Sequence, residues 1–397
     1  MTSPDPVARY LRLGLQLGRH LDGLVDAYYG PPELAAEAGA GAPAPLPALV
    51  AGVAELIADL DAGVGAPDLS PERRRWMRAQ LVGLHLVGRK LDGEEIGYVE
   101  EVQTCYGVTP TMVPEDVLAE AHAALEDALP GSGELRDRYM AWRDTHAIPP
   151  DRLPAVIDSL RADLRERTDR LFGLPDGEHV DFELVTDQPW SGFNYYLGDL
   201  HSRVAINTDL PVLSTSIAHL VAHEAYPGHH TEHTRKEVGM VRRSGHLEET
   251  IFLVGTPQCL LAEGLADLGL EVVVGPRPEP VVAEHLGPLG VRYDAEVVER
   301  LSVAGERLAA VRGNAALLLH DEGRDADEVV TYLARWSLLD EARARKAVQF
   351  LTDPTWRAYI SCYVEGLPLC RAFTAGNPAN FDRLLSEHLL PEDLTAA

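Results

Sequence analysis

The chain has 397 residues, 46% of them apolar and 24% charged, which supports a large buried core in one big domain or two ordinary ones and excludes general disorder. With 35 Lys and Arg against 62 Asp and Glu the formal charge is −27, a balance that repels nucleic acid and anionic lipid. Neither is expected as a partner.

The opening segment lacks the basic, apolar, small-residue order of a secretory signal, because Arg9, Arg12, Arg19 and His20 interrupt its apolar positions. A cytoplasmic chain is expected. Helical spacing of apolar residues covers 5–28 and 46–62. The next helix is marked by Ser70-Pro71-Glu72, a capping residue with proline at the first helical position, and runs through Trp76, Leu81 and Leu84 toward Leu91. Further helical patterns cover 115–129 and 134–145. The clearest is Leu153, Val156, Ile157, Leu160, Leu164, Leu171. Gly/Pro/Ala-rich stretches at 38–47, 63–70, 130–133 and 275–280 read as loops. Ile148-Pro149-Pro150 offers a boundary between an N-terminal helical region, 1–150, and a catalytic region, 151–397, although the two can share one core.

Strand character appears in one place only, at 180–185, 193–197 and 203–207, where short β-branched or aromatic runs are separated by turn residues. Beyond it, helical patterns resume at 294–319, 325–337, 341–351 and 355–374. The expectation is a mainly α fold with a small sheet. The apolar stretch from Ile251 to Val274 carries Glu263, Asp267 and Glu271, so no membrane span is expected. Cys105, Cys259, Cys362 and Cys370 form no Cys-x-x-Cys pair and read as small buried residues.

Residues 219–233 hold five of the 15 histidines, at 219, 223, 229, 230 and 233. Such density beside acidic residues in an apolar helical pattern points to a metal site. His223-Glu224 begins like the His-Glu-x-x-His helix of zinc peptidases, but position 227 is proline. His229 and His230 lie too far along a straight helix rising about 1.5 Å per residue. A bulge at Pro227-Gly228 can bring His229, or alternatively His230, into the second ligand position. The regular pairs His219/His223 and His229/His233 are weaker alternatives, and His219 and His233 fit an outer or mouth-lining role. Thr256-Pro257 starts a helix in which Glu263 and Asp267 share one face among Leu, Ala and Gly. Glu263 is expected as the third ligand, with Asp267 orienting a ligand histidine through its second ring nitrogen.

The run His223-Glu-Ala-Tyr-Pro-Gly-His-His230, followed by Glu263-Gly-Leu-Ala, resembles the bacterial family called domain of unknown function 885. That family is grouped with the helical zincin metallopeptidases. The resemblance covers about 190–385 and includes Ser202-Arg203, Asn207-Thr208 and Tyr363-Val-Glu-Gly366. Leu265 replaces the usual Trp, and Ala316-Leu-Leu-Leu precedes His320 without the usual Asp and Gly. The resemblance implies a large helical zincin-like fold with the small sheet beside the metal helix. It implies one Zn²⁺ on His223, His229 (or His230) and Glu263, with Glu224 activating the metal-bound water against an amide bond. Tyr363 and His320 become candidate catalytic donors to the oxyanion. The substrate class implied is a small peptide or peptide-like metabolite, bound along an edge of the sheet. Arg203, Arg357 and Arg371 are candidate clamps for its carboxylate. The alternatives are a non-haem iron redox enzyme on the same ligands and a catalytically silent metal-binding helical protein.

Overall fold

Capping chemistry places the helix starts. In the computed structural model, which describes residues 5–64, 69–188 and 190–395, Ser70 Oγ accepts a 3.3 Å hydrogen bond from the Arg73 amide and opens the helix Pro71–Leu91. That helix buries Trp76, Met77, Leu81 and Leu84. The helix Leu153–Phe172 buries the stripe Leu153, Val156, Ile157, Leu160 and Leu164. Of the expected loop 63–70, residues 65–68 lie outside the described residues, as do the first four residues of the opening segment.

Among the described residues helix predominates, with two small sheets. The strands β2 (His179–Val185), β3 (Gly192–Gly198) and β4 (His201–Asn207) form the expected sheet in the order β2-β4-β3. The β2/β4 pair is parallel and β3/β4 antiparallel, which leaves β2 and β3 as edges among the described strands. A second sheet corrects the expectation of strand in one place only. Its strands, β1 (Val25–Tyr28) and β5 (Ile251–Leu253), pair antiparallel with a bulge between Val25 and Ala27. Both are too short to show a period of two, and their partners lie more than two hundred residues apart. The helix expected over 5–28 therefore ends at Leu17, and the one over 294–319 divides into Ala295–Leu308 and Ala310–His320. Among the described residues no helix is long and apolar enough to cross a membrane. All four cysteines are free and buried.

The largest core joins Tyr10, Leu56, Trp76 and Tyr106 to Cys259, Leu260, Val311, Leu333 and Ile360, so it draws on both sides of residue 150. A second core joins Val156 and Leu160 to Ile217, Val221 and Leu270. Between them runs the helix Pro257–Val274. Its closest neighbour is Ile360–Thr374, and a Cβ on Gly264 would stand 2.4 Å from the carbonyl oxygen of Gly366. Two glycines thus let backbone touch backbone, which lays the tyrosines of one helix against the acids of the other.

Candidate metal centre

The helix Ile217–Glu224 stops at Glu224, one residue past His223, and restarts as His229–Lys236. Between them the chain loops out through Ala225–Gly228. Three carbonyls at the break, those of Ala222, Glu224 and Ala225, find new donors, as buried backbone requires. The Gly228 amide reaches Ala222 O at 2.9 Å. Asn194 Nδ2 donates to Glu224 O at 2.6 Å, and Thr231 Oγ1 to Ala225 O at 2.9 Å. The loop brings His229 back beside His223, their Nε2 atoms 3.1 Å apart.

Glu263, on the neighbouring helix, spans the two imidazoles. Its Oε2 lies 3.4 Å from His223 Nε2, and its Oε1 lies 3.6 Å from His229 Nε2. Tetrahedral ligands at about 2.1 Å from a zinc ion stand roughly 3.4 Å from one another, so these three side chains have the spacing the ion needs. Tyr359 donates to Glu263 Oε1 at 2.7 Å, while Oε2 is buried without a hydrogen-bond partner among the described residues. His223 Nδ1 bonds Asp267 Oδ1 at 2.8 Å, which leaves Nε2 as the lone-pair nitrogen. Glu224 offers an oxygen within 4.8 Å of the nitrogens of His223 and His229.

The electrostatics agree with a cation. Glu224, Glu263, Asp267 and Asp26 carry no Lys or Arg hydrogen bond or ion pair among the described residues. Burial, opposed by His223 and reinforced by Glu263, Asp26 and Asp267, pushes the Glu224 carboxyl up to about 7. Burial and Glu263 push Asp26 up to about 7 as well. Burial pulls His229 down to about 4, against the opposing pull of Glu263, and so keeps its imidazole neutral, the form a metal accepts. Burial would raise Glu263 and Asp267, but the neighbouring imidazoles of His223 and His229 outweigh it and hold both carboxyls down.

The other expected residues divide sharply. His219, half exposed, lies 3.4 Å from Asp267 Oδ1 at the rim. Tyr363 packs edge-on against Tyr359 at 5.5 Å; burial and then Glu263, with Glu224 and Asp267 also contributing, raise its hydroxyl, so it stays a donor. His230 is not at the centre: it points the opposite way, to Ser202 Oγ at 2.8 Å and Glu178 Oε2 at 2.9 Å. Consecutive residues on a helix face about 100° apart, so 229 and 230 cannot both turn inward. His233 stacks on Tyr196 at 4.6 Å. His320 is also elsewhere. It bonds Leu351 O at 2.6 Å and stacks on Tyr98, beside Glu101 and Arg357. Arg203, Arg357 and Arg371 are tied to Glu183, to Glu101, and to Glu271 with Glu306.

Sequence reasoning missed Tyr359, Asn194 and Asp26. Tyr359 was within reach, since it precedes Tyr363 by four residues and shares its helix face. Asp26 is the extra residue of the β1 bulge, a feature that often re-aims a side chain beside a site.

No family model and no curated protein matches the sequence. Solved chains that align with this one include two candidate lipoproteins. A candidate lipoprotein from Colwellia psychrerythraea aligns with a TM-score of 0.54 at 15% identity, over 87% of this chain and 65% of that one. A candidate lipoprotein of unknown function from Shewanella oneidensis aligns with a TM-score of 0.47 at 12% identity, over 88% of this chain and 71% of that one. This chain thus spans just under two thirds of the Colwellia protein's length, and at such identity the likeness shows fold alone.

Proposed function

We propose that the chain is a zinc-dependent hydrolase of amide bonds in small peptides or peptide-like metabolites. We further propose that it is related to the domain of unknown function 885 family and its zincin-like fold. The observation that carries this reading is the meeting of His223 Nε2 and His229 Nε2, 3.1 Å apart, with the Glu263 carboxylate, whose Oε2 lies 3.4 Å from the first and Oε1 3.6 Å from the second, beside a buried Glu224. A divalent zinc ion on these residues supplies Lewis acidity toward an amide carbonyl and acidifies water.

The chain's own residues supply the rest. Glu224 is poised near neutrality, so it can take a proton from attacking water and return it to the departing amine. Tyr363 keeps its proton and donates it in a hydrogen bond to the oxyanion as charge develops. The edge strand β3 passes directly alongside: a Cβ on Gly192 would stand 3.1 Å from Glu224 Oε1. An extended peptide adding to that edge presents its backbone to the centre. Glu224 favours hydrolysis over iron redox chemistry, in which this buried acid has no task.

The test is Glu224→Gln. Zinc content is expected to stay unchanged while hydrolysis of a peptide library falls by about 10²–10⁴-fold. Equal activity in the variant would remove Glu224 as the base, and stoichiometric iron in protein purified without added metal would replace the hydrolase with a redox enzyme.

A further inference from the structure

A second meeting of imidazoles and carboxylate involves none of the residues above. His246 and Glu248 come from the turn Leu247–Thr250 and the residue before it. His388 comes from the segment between the helices Pro378–Ser386 and Pro391–Thr395. One nitrogen of each histidine and an oxygen of Glu248 lie within 4.8 Å of one another. The Glu248 side chain is fully buried, and the His388 side chain is 5% exposed. His246 Nδ1 and His388 Nε2 are both buried and make no directed hydrogen bond among the described residues. Buried polar atoms are nearly always paired, yet His246 Nδ1 has no neighbour to pair with among the described residues, and His388 Nε2 meets only the carboxylate of Glu249.

The surroundings hold these groups in place. The rings of His246 and His388 stack 5.4 Å apart, 14° from parallel, and His388 also lies against Trp76 at 4.5 Å. Arg73 donates to both oxygens of Glu248, at 2.6 and 2.7 Å, which fixes the carboxylate and leaves each oxygen a second lone pair. Glu249 Oε1 sits 2.7 Å from His388 Nε2 without a directed hydrogen bond and is itself orphaned. Lys236 lies on the other side of that carboxylate, 3.9 Å from Oε2. Burial and Arg73 keep the His246 imidazole toward its neutral form.

We propose that His246, His388 and Glu248 form a second, structural site for a zinc-class divalent cation, with Glu249 Oε1 the nearest further donor. Two imidazoles and a carboxylate suit zinc rather than calcium or magnesium, which take oxygen ligands. The ion would pin the C-terminal segment to the helix Pro71–Leu91 and to the turn that feeds β5 and then the helix bearing Glu263. This site stands independently of the hydrolase reading.

The experiment uses the full chain carrying His223→Ala and His229→Ala, which leaves the first centre without its imidazoles. After loading with zinc and desalting, this protein is expected to retain about one zinc per chain and to melt higher with zinc than after chelation. Adding His388→Asn or, separately, His246→Asn is expected to abolish both retention and the zinc-dependent rise. Cobalt-loaded protein supplies a second readout, since its visible bands should vanish with either substitution. Absence of retained zinc in the His223→Ala, His229→Ala protein overturns the proposal. So does zinc retention that survives the His246 and His388 substitutions together. Should those two variants fold poorly, Glu248→Gln in the same background gives the same decision through the cobalt spectrum.

Discussion

Tyr359 donates a 2.7 Å hydrogen bond to Oε1 of Glu263, and the other carboxylate oxygen, buried and without a hydrogen-bond partner among the described residues, is left 3.4 Å from His223 Nε2. The phenol therefore decides which oxygen is free to bind a cation and holds the carboxylate in one rotamer. Such outer hydrogen bonds typically contribute 10–100-fold to metal affinity. Tyr359→Phe keeps the ring in its pocket and is expected to weaken zinc binding at the first centre by about that factor with little change in melting temperature. Competition against a chromophoric chelator measures it, using protein with His388→Asn so that only one site reports. Unchanged affinity would make Tyr359 a packing residue only.

The adjacent histidines 229 and 230 should behave as opposites. His229→Ala removes a ligand of the first centre and is expected to lower zinc affinity more than about 100-fold while the fold survives. His230→Ala leaves Glu178 buried without its imidazole partner and is expected to cost about 3 kcal/mol of stability, with zinc still bound. Zinc dialysis and urea unfolding on both variants check the pair. Equal zinc loss in the two would contradict the placement of His230.

Much of the centre was legible because its signals are local. Histidine density, the proline-glycine pair inside the run, and two acids four apart in an apolar helix all point to His223, Glu263 and Asp267 from sequence. Choosing between 229 and 230 needed the direction of helix re-entry, which depends on where Gly228 and Asn194 send the backbone. The β1/β5 pair was invisible, since three or four residues carry no periodicity and the pairing spans the whole N-terminal half. Asp26 was hidden with it. His320 entered as an oxyanion donor through resemblance alone, and no pattern of this sequence ties it to the other candidate residues. The boundary at Pro149-Pro150 marks a real turn, but apolar residues from both sides of it build the same core.

Acid should reveal the network around His230. Burial alone would raise Glu178, yet hydrogen bonds from His230, Tyr226 and Arg165 outweigh it and hold the carboxyl down at about 2. A folded-state value below the unfolded one, near 4.3, means a stabilising contribution present above that pH and lost as pH falls toward 2. Between about pH 5.5 and about pH 3 the wild-type urea midpoint is expected to drop further than that of Glu178→Gln, which starts lower and changes less. Parallel curves would show that Glu178 is not the group that titrates.

Gly228 is the residue on which the whole bulge turns. A Cβ there would stand 1.8 Å from the His223 carbonyl oxygen, 2.5 Å from its carbon and 2.6 Å from the Ala222 oxygen. All three are backbone atoms that no rotamer change can move aside, so even alanine must push the two helix segments apart and separate His229 from His223. Gly228→Ala is expected to cost more than about 3 kcal/mol and to abolish zinc binding at the first centre. Gly305→Ala, in the helix Ala295–Leu308 with nothing within 4 Å of its Cβ position, serves as the control. It is expected to be neutral or stabilising by up to about 1 kcal/mol, because alanine is the better helix former. Denaturant midpoints and retained zinc for the two variants decide the matter: a Gly228→Ala protein that unfolds like wild type and holds its metal would mean that the ligands meet without this turn.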